Sequence, residues 1–290
     1  METELTTTDL SAAPASRPKA RGLLHPRTMR RLRIYSGRTR ALAGGLRQPC
    51  LFLHMPKCGG TSLSEALYGT VPLHKTVAVI DAVSTRRAAA MLHFGRDDDA
   101  LCHEDLEHGQ LTFDLREQLM LTHMAAGAQL IHGHVLYSET AQRHFGTRYR
   151  MVSVLRDPVS RAVSNFSMMA GRGFAERDID AWLDGAVGRS HATVFLRYLG
   201  GRNVITPEDE PAVLQQALAR LKDVSVIGFL DDMPGFLTRF ADTFGVRPQV
   251  HRYNKAAWPT IALSPEQKRK LELACAADLE IYEAARRQFK

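Results

Sequence analysis

Phe52-Leu-His-Met-Pro-Lys-Cys-Gly-Gly-Thr-Ser-Leu63 is the stretch that decides the fold. A short apolar run ends at Pro56. Lys57 follows, then Gly59 and Gly60, then Thr61 and Ser62 at the start of a helical pattern. Strand, tight loop and helix in this order form a cradle for an oxyanion, because the first N–H groups of a helix lack partners and carry partial positive charge. Glycines let the anion approach the backbone closely, and the two hydroxyls add donors. Ser62 and Glu65 also have the spacing of a capping box. The loop is not a Walker A sequence, in which the lysine follows the last glycine; here Lys57 precedes both.

Working outward, residues 50–55 read as a buried strand and 61–68 as the helix after it. Residues 71–110 are harder to parse: 85–92 has helical spacing and 96–109 is a polar loop containing histidines. Helical spacing returns over 113–126, and 129–132 reads as a short strand. The apolar run at 149–155 is the clearest strand, and it stops at Arg156-Asp157-Pro158. Asp157 suits an N-cap and Pro158 a first helical position, so a helix is expected to about residue 170. Further helices are expected at 180–185, 191–199, 211–221, 233–244 and 265–289, with a strand at 224–230. Strands alternating with helices predict an α/β architecture: three layers, with a central, mostly parallel sheet flanked by helices, in the manner of P-loop folds.

The chain has 290 residues and a formal net charge of +7. Residues 17–47 hold ten basic and no acidic residues, 1–16 hold three acids and no base, and 48–290 are neutral overall. The basicity therefore belongs to residues 1–47, expected to be a flexible arm, and the rest to a single domain over 48–290. With no aromatic interleaving beyond Tyr35, the arm does not read as a specific nucleic-acid binder. The four cysteines, Cys50, Cys58, Cys102 and Cys275, form no CxxC pair and suit a reducing compartment. No apolar stretch predicts a transmembrane helix, and no signal-peptide pattern stands at the N-terminus, which together point to a cytoplasmic protein.

A second motif, Leu155-Arg-Asp-Pro-Val-Ser-Arg-Ala-Val-Ser164, places Arg156 at a strand end and Ser164 two turns into the next helix. Strand ends line the ligand crevice of open α/β sheets, and arginine grips a phosphate bidentately. Together, Pro-Lys-x-Gly-Gly-Thr-Ser and Arg-Asp-Pro-x-x-Arg-x-x-Ser about a hundred residues later resemble the PAPS-dependent sulfotransferases. The resemblance implies that Lys57, Cys58, Gly59, Gly60, Thr61 and Ser62 hold the 5′-phosphosulfate of 3′-phosphoadenosine 5′-phosphosulfate (PAPS), and that Arg156 and Ser164 grip its 3′-phosphate. PAP would then be the product, and no metal is required.

A third motif, Ile131-His-Gly-His-Val-Leu-Tyr137, is similar to a segment of the carbohydrate branch of that family, the heparan sulfate and uronyl 2-O-sulfotransferases and their bacterial relatives. The resemblance implies that His134 is the catalytic base, His132 an auxiliary site residue, Lys57 the group that neutralises the leaving oxygen, and a sugar hydroxyl the acceptor. Histidine suits the task, since an acceptor hydroxyl must lose its proton near neutral pH. The stretch His251-Arg-Tyr-Asn-Lys255 resembles a loop that closes over the nucleotide, making Arg252, Asn254 and Lys255 candidate contacts. Two rival readings are a P-loop-type kinase or NTPase, and a non-catalytic protein that binds anions through the basic arm.

Overall fold

A computed structural model describes residues 26–175, 178–251 and 260–289. Five strands form one sheet, all pairs parallel, in the order β2-β3-β1-β4-β5: β1 (Cys50–Leu53), β2 (Val77–Ile80), β3 (Leu130–Gly133), β4 (Arg150–Leu155) and β5 (Val224–Phe229). The chain leaves β1, lays down β2 and β3 on one side, then crosses to β4 and β5 on the other. The winding direction thus reverses at β1, and the crevice beyond the carboxyl end of β1 is where such sheets take ligands.

Alternation along the strands supplies two apolar faces. Leu51, Leu53, Ile131, Met151, Leu155 and Phe229 face one core, covered by α4 (Gly109–Ala125), α9 (Val194–Gly200), α10 (Glu210–Arg220) and α13 (Ala276–Phe289). Phe52, Leu130, Val152, Val154 and Val226 face the other, covered by α2 (Gly60–Tyr68) and α11 (Met233–Phe244). In α11, Phe236, Phe240 and Phe244 recur every four residues and are fully buried, each contributing about 2–3 kcal/mol by burial. These are the three expected layers.

Several elements differ from expectation. The helical spacing at 85–92 is met by α3 (Ala82–Phe94), but β2 before it and α5 (Glu139–Phe145) before β4 were not expected. The C-terminal helix is two, α12 (Pro265–Ala274) and α13, broken at the buried Cys275. The capping box at Ser62 and Glu65 does not form. α2 already begins at Gly60, so its N-cap is Gly59, which has no side chain to cap with; Ser62 lies inside the first turn, and Glu65 pairs with Arg30.

That ion pair belongs to a further correction. Residues 1–47 were expected to be a flexible arm, yet Pro26–Arg40 form a helix, α1, packed on α2. Its anchor is Arg38, whose guanidinium donates to the carbonyls of Val71 (3.2 Å), Pro72 (3.2 Å) and Lys75 (2.6 Å). Close approach completes the seam: a Cβ on Gly37 would lie 2.8 Å from the Cα of Gly69. No described helix is long and apolar enough to cross a membrane.

Candidate active site

The loop after β1 curls through two left-handed residues, Lys57 (φ 65°) and Gly59 (φ 77°), and delivers the chain to Gly60 and the free N–H groups of α2. Lys57 is the single non-glycine residue with positive φ among those described. Its ammonium lies 3.5 Å from the sulfur of Met168 in α6 (Pro158–Gly171), which ties the loop to the second motif. Ser164 lies one turn before Met168 on the same face of α6. Asp157 caps α6 by accepting from the Ser160 N–H (2.8 Å), and Pro158 is in its first turn, as the sequence predicted.

Arg156 stands at the end of β4, next to β1, and its backbone N–H bonds the Cys58 sulfur. Burial lowers the Lys57 pKa, and the charges of Arg156 and Arg172 lower it further. Three cations therefore gather at one end of the sheet, and among the described residues the anion acting on them is Asp157, beside Arg156. Arg172, just past α6, was missed by sequence reasoning, since nothing in its neighbourhood marks it. Cys58 is fully buried and its thiol is pushed up to about 12 by burial, so it stays protonated and can offer an anion only its backbone. Ser62 is half-buried in the first turn of α2. Arg252, Asn254 and Lys255 lie outside the described residues.

On the other side of β1, the end of β3 carries His132 and His134. The register sets Phe52 opposite His132 and Leu53 opposite Gly133. This brings a third histidine into the group: His54, whose own N–H bonds the Gly133 carbonyl (3.0 Å). The rings of Phe52, His54 and His132 stack, and His134 stacks on His54 with centroids 4.3 Å apart. Sequence reasoning missed His54, because a lone histidine between Leu53 and Met55 looks like part of a strand. The signal that could have found it is its position, two residues after Phe52 and so on the same face of β1.

Hydrogen bonds separate the roles of the rings. His132 is engaged at both nitrogens, Nδ1 with the Tyr68 hydroxyl (2.7 Å) and Nε2 with His54 Nδ1 (3.1 Å). His134 is engaged at one: its Nδ1 lies 2.9 Å from the His54 carbonyl oxygen. A carbonyl only accepts, so His134 carries its proton on Nδ1 and presents a lone pair at Nε2. No described residue bonds that Nε2. Burial, then the positive charge of Arg116, pushes the His134 pKa down to about 4. Burial and His134 push His132 down to about 3, and burial with its two neighbours holds His54 well below the ordinary range. All three rings are therefore neutral at pH 7.

The His134 backbone is fixed from below. Arg116 of α4, fully buried, donates to the His134 carbonyl (3.0 Å), to Thr85 Oγ1 (2.9 Å) and the Ala82 carbonyl (3.2 Å) of α3, and pairs with Glu104. Burial alone would raise the Glu104 pKa, but Arg116 and Arg86 hold it at about 2. Among the described residues no group of three or more His, Cys, Asp or Glu side chains is placed to hold a metal ion. A groove of about 410 Å³ lies apart from these rings, between α1, α2 and the segment 246–251. It is lined by the cations Arg33, Arg40 and Arg247 and by Glu65 and His251, and by none of the three stacked histidines.

The strand ends thus bring together a loop that leads a lysine into a helix start, an arginine at the neighbouring strand end, and a neutral histidine of fixed tautomer at the end of the strand on the other side. No protein-family model matches the chain, and no curated protein matches it.

Proposed function

We propose that the protein is a sulfotransferase that moves a sulfuryl group from PAPS to an acceptor hydroxyl, the acceptor being a carbohydrate, glycolipid or small glycoside. The observation that carries this reading is His134. Its proton is held on Nδ1, which leaves a lone pair on Nε2, and its ring stacks on His54, the residue that follows β1 into the loop. A kinase reading is disfavoured by the residues that flank β1. β3 runs into Gly133-His134, with no carboxylate to hold Mg²⁺, and β4 runs into Arg156-Asp157, whose carboxylate is engaged in capping α6.

In this mechanism the acceptor oxygen forms a bond to sulfur as the bond from sulfur to the bridging phosphate oxygen breaks. His134 Nε2 takes the hydroxyl proton, and PAP leaves. Lys57 neutralises the charge gathering on the bridging oxygen. The N–H groups at the start of α2, with Ser62, hold the nonreacting oxygens, and Arg156 with Ser164 grips the 3′-phosphate. Most of the acceleration is positioning and preorganised electrostatics. A resting base with a pKa near 4 is weak; the negative charge of the bound donor raises it toward the working range, which couples base strength to donor occupancy.

The test is transfer of ³⁵S from labelled PAPS to a panel of sugars and glycolipids. His134→Ala should lower turnover by at least about a hundredfold while PAP affinity stays within a few-fold. PAP should raise the melting temperature without Mg²⁺, and ATP with Mg²⁺ should not. Full activity in His134→Ala would remove the base, and stabilisation by Mg²⁺·ATP alone would favour a kinase.

A further inference from the structure

His54 is assigned no part in the transfer above, yet it touches both halves of the site. Its Nδ1 meets His132 Nε2 at 3.1 Å, and His132 Nδ1 meets the Tyr68 hydroxyl at 2.7 Å, near which Ser64 also bonds. Its other nitrogen is turned to the anion loop: a Cβ placed on Gly60 would lie 1.6 Å from His54 Nε2, nearer than to any other atom. Gly60 opens α2, so this nitrogen borders the backbone that supplies the free N–H groups of the helix.

Each neutral imidazole has one N–H. With both rings neutral, the chain can be filled in two ways. In the first, the Tyr68 hydroxyl donates to His132 Nδ1, His132 Nε2–H donates to His54 Nδ1, and His54 carries its proton on Nε2. In the second, every bond is reversed, and Nε2 shows the loop a lone pair. An oxyanion at the start of α2 attracts an N–H and repels a lone pair. It therefore selects the first arrangement along the whole chain.

We propose that His54 is a further donor to the bound anion, with its tautomer set by Tyr68 through His132. The inference rests on the reading that the loop binds an oxyanion, and not on that anion being PAPS. It also explains why residue 60 is glycine: any side chain would occupy the place of the imidazole. The groups facing His54 are His132, His134 and Phe52, stacked against it, and Gly60, so no side chain that these contacts bring against the ring competes for the Nε2 proton.

The experiment is calorimetric titration with PAP and, separately, with inorganic pyrophosphate, on the full chain and on His54→Leu, His54→Gln and Tyr68→Phe. It is paired with long-range ¹H–¹⁵N spectra of labelled histidine, which distinguish Nδ1–H from Nε2–H. The expected result is a loss of about tenfold in anion affinity for His54→Leu, partial recovery for His54→Gln, and a loss of about threefold for Tyr68→Phe. The His54 signals should move to the Nε2–H pattern when the anion binds. Affinity within twofold in a folded His54→Leu, or an Nδ1–H pattern in the complex, would overturn the proposal. If His54→Leu does not fold, Tyr68→Phe and the spectra decide it alone. Pyrophosphate binding that depends on His54, with no PAP binding, would keep His54 and remove PAPS; no binding of either removes both.

Discussion

Lys57 holds φ at 65°, a conformation that costs a side-chain-bearing residue about 1–2 kcal/mol. Such strain persists where a site needs the geometry. Here the turn aims the ammonium at α6 and Met168 while the following residues curve into α2. Lys57→Gly should therefore be more stable than Lys57→Ala by about 1 kcal/mol, since glycine adopts this φ freely, although both lose the ammonium and its chemistry. Denaturant midpoints of the two variants measure this; an alanine variant as stable as the glycine one would show that the turn is not strained. The lysine, the glycines and the His132/His134 pair were legible in the sequence because loop chemistry is local. His54 was not, because its meaning depends on which residue of β3 lies beside it and on how closely Gly60 approaches. Neither is encoded within a few residues of it.

At the scale of elements, the strong strands and helices were legible and the weak ones were not. β4, α6 and β5 show long apolar runs or clear caps. β2, at the sheet edge with Val79 at the surface, is no shorter than β1 and β3 but lacks their burial at every position, so no buried run marks it off from its surroundings. The predicted capping box failed too. Ser62 and Glu65 have the right spacing, but α2 starts at Gly60, which puts Ser62 inside the first turn, and Glu65 pairs with Arg30 of α1. Arg116 shows how an unremarkable helix residue can carry a site. It joins α4 to α3, to Glu104 and to the carbonyl of His134, from a fully buried position. Arg116→Met should destabilise the fold by about 3–5 kcal/mol, because it leaves Glu104 only Arg86 of its two guanidinium partners and strips the buried acceptors at Thr85, Ala82 and His134 of their donor. Adding Glu104→Gln should recover part of that loss. Melting of the single and double variants tests the coupling, and a double variant no more stable than Arg116→Met would break the argument.

At the scale of the molecule, the charge reading holds one lesson and the titration another. The excess basicity does sit in residues 17–47, but α1 shows that part of it is structural, with Arg38 pinning the turn after α2 and Arg30 neutralising Glu65. The stability of the whole fold should depend on pH through the histidine cluster. His54, His132 and His134 bind protons less readily when folded, with His134 near 4 and His132 near 3, than in an unfolded chain at about 6.5. The unfolded state then holds more protons between those values, so stability is complete above about pH 6.5 and falls as pH drops toward 4. Asp278 acts in the opposite sense. Burial raises its pKa to about 6 against the pull of Arg161, so its contribution is present at low pH and is lost as pH rises through 6. Three histidines outweigh one aspartate, and at about 1.4 kcal/mol per pH unit for each group the net slope reaches at most about 3 kcal/mol per unit between pH 6 and 5. The melting temperature should thus fall steeply from pH 7 to pH 5, and His132→Gln should flatten that fall by about one proton's worth. A flat profile in the parent protein would mean that the rings are open to water and titrate normally, and a neutral base at His134 would then need no donor to restore its strength.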